Sequence, residues 1–336
     1  MAELGNAIRQ RQGGWRSLGQ RTLRLGRTYG AAAMLLLITL YNALWTPNFL
    51  TQQTLRVNLT QVSTIVIVAV GMTLVVATGG IDLSVGALMA FSGVLAPMLF
   101  TPTSGPLSVP LIGVTLAFVL PVLAAGGVGL FNGALVTYGK IQPFIATLIV
   151  LIAGRGIAQA LTRGNLVTFK NPAFQFIGQG SVLGVRAQVL LMLAVVGLAA
   201  WVMGATAAGR QILAVGGNEE AARLAGVPIR RVKLAVYAAS GALAGLAGLI
   251  VIAINASADA NQIGLNMELD AIAAVAVGGT SLNGGRAVVV GTFVGALMMQ
   301  LIRYTLLAHG IPDAAALVIK AGIIVLAVAV QRQPQA

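Results

Sequence analysis

The sequence predicts an all-α polytopic membrane protein with about ten transmembrane helices. Hydrophobic residues make up 57% of the 336 residues, and charged residues make up only 9%. Several stretches reach the roughly 20 apolar residues that one helix needs to cross a bilayer. The 42 glycines fit helices that pack closely in lipid, because small residues let backbones approach each other. These observations exclude a soluble globular protein.

The chain divides into a basic tail over residues 1–28, a transmembrane region over 29–330 and a short tail over 331–336. Proline, glycine and polar clusters separate the apolar runs, since these residues favour turns. The predicted spans cover residues 29–45, 59–78, 87–100, 111–138, 143–161, 188–204, 234–254, 269–277, 287–307 and 314–330. The eighth of these is a short run. The fourth carries Pro121 and the pair Gly126 and Gly127 as predicted kink points.

Lysine and arginine are distributed unevenly between the two sides of these helices. With the N-terminus inside, fourteen lie in cytoplasmic segments and four lie in outer loops. Because cytoplasmic loops are enriched in these residues, both termini are predicted to be cytoplasmic. Six arginines precede the first span and contribute to a net charge of +13. We interpret them as a topology anchor beside anionic lipid rather than as a nucleic-acid site.

The stretch over residues 79–86 (G-G-I-D-L-S-V-G) places a carboxylate between two apolar runs. An aspartate at the centre of a lipid-facing helix costs about 3 kcal/mol, so Asp82 is expected to face a protein interior or a water-filled path. Gly79, Gly80 and Gly86 predict a break in the helix, a feature that transporters use for substrate and ion sites. A cytoplasmic turn that carries an aspartate is the alternative.

A second glycine block resembles the first. Residues 77–86 align without gaps on residues 276–285, and five of the ten positions match. The match adds Gly278, Gly279, Gly284 and Gly285 as a second predicted helix break. Both blocks follow an even-numbered span, which predicts a parallel internal repeat with a substrate site between its halves.

Residues 209–233, here called the coupling segment, form the longest charged internal stretch. An asparagine followed by two acids predicts the start of a two-turn helix, and a glycine followed by Pro228 predicts its end. On the cytoplasmic side such a helix is interpreted as a docking element for a soluble partner, with a solvated connector as the alternative. The residues assigned to docking are Asn218, Glu219, Glu220, Arg223, Leu224 and Gly226.

Three motifs carry a resemblance to a known family. They are residues 79–86, residues 218–227 (N-E-E-A-A-R-L-A-G-V) and residues 268–285 (E-L-D-A-I-A-A-V-A-V-G-G-T-S-L-N-G-G). In this order and spacing they resemble the permease subunits of ribose/xylose/galactose-type bacterial sugar ATP-binding-cassette (ABC) importers. Residues 140–148, 153–156 and 258–261 further resemble the galactofuranose permease branch, in which two different permeases pair.

The resemblance implies a multi-pass protein of the bacterial inner membrane that forms a path for a monosaccharide, either galactofuranose or a related pentose or hexose. It also implies three partners: a second permease subunit (identical or related), a cytoplasmic ABC ATPase and a periplasmic sugar-binding protein. ATP and magnesium would belong to the ATPase. No cofactor is expected in this chain, which lacks a G-x-x-x-x-G-K-[ST] phosphate loop.

Enzyme chemistry is not expected either. No nucleophile–base pair is visible, so no catalytic residue is predicted. With one histidine and no cysteine, a histidine-rich or cysteine-ligated metal site is impossible.

Binding a neutral sugar requires carboxylate acceptors, amides and an aromatic face. Candidates at membrane depth are Asp82, Ser84, Asn132, Gln142, Thr147 and Gln159, and those nearer the outer surface are Asp259, Asn261, Glu268 and Asp270. For Asp82 the alternative role is to cap the N–H groups of the following half-helix. The alternative function is an ion-coupled secondary transporter in which Asp82, Glu268 and Asp270 form the relay.

Overall fold

A computed structural model of the protein describes residues 31–100 and 110–312, together with residues 314, 315, 317–319, 321, 322 and 325. The basic tail, the loop over 101–109, most of the predicted tenth span and the C-terminal tail lie outside the described residues. The helices are α1 Ala31–Trp45, α2 Gln52–Ala77, α3 Val85–Phe100, α4 Pro110–Thr137, α5 Pro143–Thr162, α6 Pro172–Gln179, α7 Ala187–Ala205, α8 Ala207–Gly217, α9 Glu219–Leu224, α10 Ile229–Asn255, α11 Met267–Val277 and α12 Val289–Ala308.

Six of these helices are long and apolar enough to cross a membrane, namely α2, α4, α5, α7, α10 and α12. Two more, α1 and α3, are shorter apolar helices. With 11 residues, α11 extends about 16 Å, roughly half of the hydrocarbon thickness of a bilayer. The prediction of a mostly helical membrane protein is confirmed, while the count of ten spans stays a prediction.

Two long helices begin before the spans that the sequence predicted. Thr51 accepts a hydrogen bond from the Thr54 amide at 3.3 Å, and this cap starts α2 at Gln52. Residues 52–58, which precede the predicted second span, therefore form the first turns of α2. Likewise α10 starts at Ile229, so the basic end of the coupling segment is already helical.

The centre of the subunit is formed by α2 and α10. Nearly every α2 residue from Val62 to Ala77 is buried, and α10 packs along α2, α3 and α4. The contact with α4 is close because Gly129 lies against the Tyr237 carbonyl, where a Cβ would collide. In contrast, α5 and α7 expose apolar side chains. Such faces fit lipid or another membrane subunit.

Polar side chains tie α12 to α2, one pair at the edge of this apolar core, where Gln61 is exposed, and one pair inside it. Gln300 donates a hydrogen bond to Gln61 Oε1 at 2.6 Å, and the hydroxyls of Thr73 and Thr292 lie 2.9 Å apart. Hydrogen bonds between helices are a usual source of specificity where water is absent.

Two small sheets connect the outer segments. The strand β1 Val167–Thr168 pairs antiparallel with β4 Ser257–Ala258, and β2 Ser181–Val182 pairs antiparallel with β3 Val185–Arg186. The first pairing joins the segment after α5 to the segment after α10. Both segments must therefore lie on the same side of the membrane, as the predicted topology requires.

Candidate functional site

The Asp82 carboxylate is completely buried at the start of α3. Its Oδ1 accepts hydrogen bonds from the Ser84 amide at 3.0 Å and from the Ser84 hydroxyl at 2.6 Å. Its Oδ2 accepts a hydrogen bond from the Ser240 hydroxyl of α10 at 2.7 Å. Asn132 of α4 donates to Ser84 Oγ at 2.9 Å. These four side chains, here called the Asp82 cluster, join α3, α4 and α10.

The position of Ser240 gives the depth of this cluster. Ser240 is the twelfth residue of the 27-residue α10, about 16 Å from the first residue of that helix. The partner of Asp82 therefore lies near the middle of a spanning helix. A turn exposed to solvent does not fit this position, because the four side chains of the cluster are at most 1% exposed.

The break before Asp82 has a local cause. Gly79 adopts a left-handed conformation (φ 80°), its amide donates to the Val76 carbonyl at 2.9 Å, and the Gly80 amide donates to the Val75 carbonyl at 3.2 Å. This pair of bonds is the Schellman motif that ends many helices. A side chain at Gly80 would displace Tyr237, because a Cβ there would lie 2.6 Å from the Tyr237 hydroxyl.

The second glycine block ends α11 with the same bonds. Gly279 has φ 84°, its amide donates to the Ala276 carbonyl at 3.1 Å, and the Thr280 amide donates to the Val275 carbonyl at 3.2 Å. Gly79 therefore corresponds in geometry to Gly279. The ungapped sequence match pairs it instead with Gly278, one residue away. Both glycine blocks therefore end their helices in the same way.

The two glycine blocks touch each other. The Gly285 amide donates to the Ala77 carbonyl at 3.0 Å. A Cβ at Gly284 would lie 2.8 Å from the Gly79 amide nitrogen. Gly216, near the end of α8, packs against both partners of the hydrogen bond, and a Cβ there would collide with the Ala77 carbonyl. Three backbones from distant parts of the chain thus meet without side chains between them.

A second polar group lies between α5 and the segment over 259–268, and we call it the α5–loop group. Arg155 donates from Nη1 to the Ala260 carbonyl at 2.8 Å and to the Ile263 carbonyl at 2.6 Å. Gln159, one turn further along α5, donates to Asn261 Oδ1 at 2.9 Å. The Asn261 backbone N–H in turn donates to Asp259 Oδ1 at 2.9 Å. This segment is therefore held to α5 by side-chain hydrogen bonds.

Gly86 lies between the Asp82 cluster and the α5–loop group. It lies in the first turn of α3, close to the Asp82 cluster, and its α-carbon faces the segment after α10. A Cβ at this position would collide with the Gly264 carbonyl and would lie 2.6 Å from Glu268 Oε2. Gly264 has φ 68°, a conformation that favours glycine. The start of the short α11 therefore lies against the start of α3.

The sequence-predicted residues thus fall into separate places. Asp82, Ser84 and Asn132 lie together, and Gln159, Asp259, Asn261 and Glu268 belong to the α5–loop group, with Asp270 in the same first turn of α11. Thr147 is buried and contacts the Ile81 carbonyl at 3.3 Å. Gln142 is exposed before α5 and makes no capping bond.

The list of candidates lacked three residues that bond to these groups or lie beside them. Ser240 bonds directly to Asp82, and Tyr237 lies beside Gly80, both on α10. Arg155 bonds to the segment over 259–268. The available signal was a polar residue within an apolar run, which is unusual in lipid.

The coupling segment forms α8, α9 and the start of α10. Asn218 caps α9 by accepting a hydrogen bond from the Ala221 amide at 2.9 Å. Gly226 follows the helix with φ 80°. Glu220 accepts a hydrogen bond from Arg223 Nε at 3.0 Å, and this bond raises the pKa of Arg223 above its ordinary value. The two-turn helix that the sequence predicts is present.

Most apolar side chains of α9 point outward. Leu224 is 77% exposed, and Ala221 and Ala225 are also exposed, whereas Ala222 is the buried residue of this helix. Glu219 is fixed to Lys233 of α10 by an ion pair of 2.7 Å. The helix is thus held to the subunit on one side while its largest apolar side chain remains uncovered.

Residues 55–328 match the family described as the permease component of branched-chain amino acid transport systems. The galactofuranose transporter permease protein of Escherichia coli K12 is 42% identical over 276 residues, which are 82% of this chain and 78% of that protein. The ribose import permease protein of the same strain is 40% identical over 312 residues, 90% of this chain and 92% of its own length.

The L-arabinose ABC transporter permease protein of Azospirillum brasilense is 35% identical over 286 residues, 85% of this chain and 82% of that protein. No solved structure matches the chain. The family match covers most of the described helices, including both glycine blocks and the coupling segment. The resemblance stated from three motifs is thereby confirmed, and the chain belongs to the permease family of bacterial ABC importers, among its sugar permeases.

Proposed function

We propose that this chain forms the translocation path for a monosaccharide and couples it to ATP hydrolysis in a separate ATPase subunit. The contact of α8 with both glycine blocks carries this proposal. A Cβ at Gly216 would lie only 2.6 Å from the Gly285 amide nitrogen. Helix α9 follows α8 directly after Asn218. A force applied to α9 would therefore be passed through α8 to both helix breaks.

The α5–loop group is proposed to contact the sugar. In this conformation Asn261 is exposed and Gln159 is half-buried, whereas the Asp82 cluster is closed to solvent. Their mutual bond uses the Gln159 amino group and the Asn261 carbonyl. An amide carbonyl and an amide NH₂ remain to accept from and donate to sugar hydroxyls. Asp259 and Glu268 supply carboxylate acceptors beside them.

The Asp82 cluster is proposed to hold the break rather than to bind substrate. Its carboxylate accepts bonds from the Ser84 amide and hydroxyl and from Ser240, and together these bonds fix the first turn of α3 against the middle of α10. A buried carboxylate with several donors is stable only in one arrangement of its neighbours. This is the capping role that the sequence offered as the alternative.

The partners follow from the family and from two exposed surfaces. A second permease subunit, identical or related, is proposed to cover the apolar face of α5, where Ile152 is 66% exposed. An ABC ATPase, which would bind ATP and magnesium, is proposed to dock on α9 and Leu224. A periplasmic sugar-binding protein would deliver the substrate to the side of the β1–β4 sheet. Both termini would lie in the cytoplasm.

Galactofuranose is the proposed substrate, with ribose or arabinose as related alternatives. The support is the similarity to a galactofuranose permease and the motifs over residues 140–148 and 258–261. Uptake of each labelled sugar into vesicles should be measured with the permease, its ATPase and its binding protein present. ATP-dependent uptake of one of these sugars is expected, and an ATPase that cannot hydrolyse ATP should abolish it.

The same vesicles distinguish the alternative function. An ion-coupled transporter would take up sugar through this chain alone when a proton or sodium gradient is imposed. Such uptake, without ATP or partner subunits, would contradict the proposal. The sugar contacts are tested by Gln159→Ala and Asn261→Ala, which should raise the half-saturating sugar concentration. Gln262→Ala, an exposed neighbour in the same segment, is the matched control.

A further inference from the structure

A cavity of about 420 Å³ opens between α2, α7, α8 and α10. Its wall is largely aliphatic, with Leu74 of α2, Val202 of α7, Ile212 of α8 and Val236 of α10. Two long polar side chains, Gln211 and Arg231, also line it. The cavity is separate from the α5–loop group, and nothing in the proposed transport function uses it. An apolar wall of this kind excludes a sugar and fits a hydrocarbon chain.

The length of the cavity matches one leaflet of a bilayer. Its wall runs from Pro228, the residue before α10, to Ala239 within that helix, a distance of about 16 Å at the helical rise per residue. Half of the hydrocarbon core of a bilayer is about 15 Å thick. Trp201, next to Val202, is 60% exposed near the end of α7, where tryptophan commonly marks the membrane–water interface. With the proposed topology, the cavity lies within the cytoplasmic leaflet.

The polar end of the cavity carries an available positive charge. Among the described residues two ion pairs form, and Arg231 takes part in neither. Its neighbours differ, because Lys233 pairs with Glu219 and Arg230 lies over the Tyr138 ring at 5.4 Å from its centroid. Arg231 is exposed in the first turn of α10, which is the cytoplasmic end of that helix in the proposed topology. The cytoplasmic leaflet is the one that carries anionic headgroups.

We propose that this cavity binds one acyl chain of an anionic phospholipid, with the lipid phosphate held by Arg231. The far end of the wall, Ala239, directly precedes Ser240, which bonds to Asp82. Leu74 lies one turn before Thr78 at the end of α2. An acyl chain in the cavity therefore fills the space between α2 and α10 beside the first helix break. The bound lipid stabilises the arrangement in which the Asp82 cluster is closed.

The test measures lipid retention on the purified full-length permease. Native mass spectrometry would compare phosphatidylglycerol with phosphatidylcholine of the same acyl chains. We expect several-fold stronger retention of phosphatidylglycerol and a higher melting temperature in its presence. Arg231→Gln should abolish the preference between the two headgroups. Ala235→Trp, which places a large ring on an exposed wall position, should reduce retention of both lipids. Arg230→Gln should behave as the wild type.

Several results would overturn the proposal. They are equal retention of both lipids by the wild type, an unchanged preference in Arg231→Gln, or the same loss of preference in Arg230→Gln. An equal rise in melting temperature with inorganic phosphate alone would show that an anion rather than a lipid is bound. Release of the lipid when the ATPase binds would show that the cavity is a protein contact. Should Ala235→Trp fail to fold, the two arginine variants still decide the question, because both positions are exposed.

Discussion

Ser240, near the middle of α10, donates a hydrogen bond of 2.7 Å to the Asp82 carboxylate, although 158 positions of the chain separate the two residues. Removal of this donor leaves a buried carboxylate oxygen without its partner from α10. We expect Ser240→Ala to destabilise the permease by about 1.5–3 kcal/mol, the range for bonds to charged groups. Ser92→Ala, which removes a neutral hydroxyl that donates to the Gly245 and Met89 carbonyls, should cost about 1 kcal/mol. Equal shifts in melting temperature would contradict a special role of the carboxylate.

Asp82→Asn keeps the shape of the side chain and one acceptor for Ser84, but it removes the charge and turns a donor toward Ser240. We predict reduced sugar uptake with normal recovery of the ATPase on tagged permease. Uptake in vesicles and co-purification should be measured on the same preparations. Unchanged uptake would show that a polar cap suffices and that the charge has no role in transport.

Gly86→Ala tests the contact between the start of α3 and the start of α11. The added methyl group would collide with the Gly264 carbonyl, so the segment that leads into α11 must shift, and overpacking of this kind costs about 1–3 kcal/mol. Lower melting temperature and loss of uptake are expected. Gly127→Ala in α4 is the control, because its added methyl group would meet no neighbouring atom within 4 Å beyond its own turn of helix. A melting temperature for Gly86→Ala as high as that of the control would refute the predicted close contact.

The absence of cysteine allows the topology to be tested by labelling without background. Leu183 is fully exposed in the turn between β2 and β3, and Ala221 is exposed on α9, so Leu183→Cys and Ala221→Cys each introduce an accessible thiol. In sealed cells a membrane-impermeant thiol reagent should label the first and not the second. Opening the membrane should make both reactive, which serves as the control. Labelling of Ala221→Cys from outside would reverse the proposed orientation.

Leu224→Asp places a charge in the proposed contact of α9 with the ATPase. Poor recovery of the ATPase on tagged permease and loss of uptake are expected, whereas the melting temperature of the permease alone should not change. Leu183→Asp is the matched control, since it alters a fully exposed leucine in the segment between α5 and α7. Normal recovery together with normal uptake in Leu224→Asp would reduce α9 to a solvated connector.

Much of this fold could be predicted because its signals are local. Apolar runs indicated the long helices, and the Asn218 cap and Gly226 indicated both ends of α9. The extra turns of α2 were missed because residues 52–58 are too polar to be read as part of a span. Their helix depends on the cap at Thr51 rather than on hydrophobicity.

Long-range partners could not be read from one sequence. Asp82 was singled out by its setting, yet nothing local indicates that Ser240 would be its donor. Arg155 likewise bonds to two backbone carbonyls, and a carbonyl has no signature in the sequence. The ungapped alignment pairs Gly79 with Gly278 rather than with Gly279, because it counts identical residues and takes no account of backbone hydrogen bonds. The hydrogen bonds that end each helix fix the geometric correspondence.

The meeting of Ala77, Gly216 and Gly285 has a consequence for exchanging parts between related permeases. Three backbones touch there with no side chain between them, so no side chain can change its rotamer or size to accommodate a mismatch. A chimera that takes one segment from a relative with a larger residue at this contact would lose the close packing of the three backbones. Functional hybrids will have to inherit the ends of α2 and α8 and the loop before α12 from the same parent.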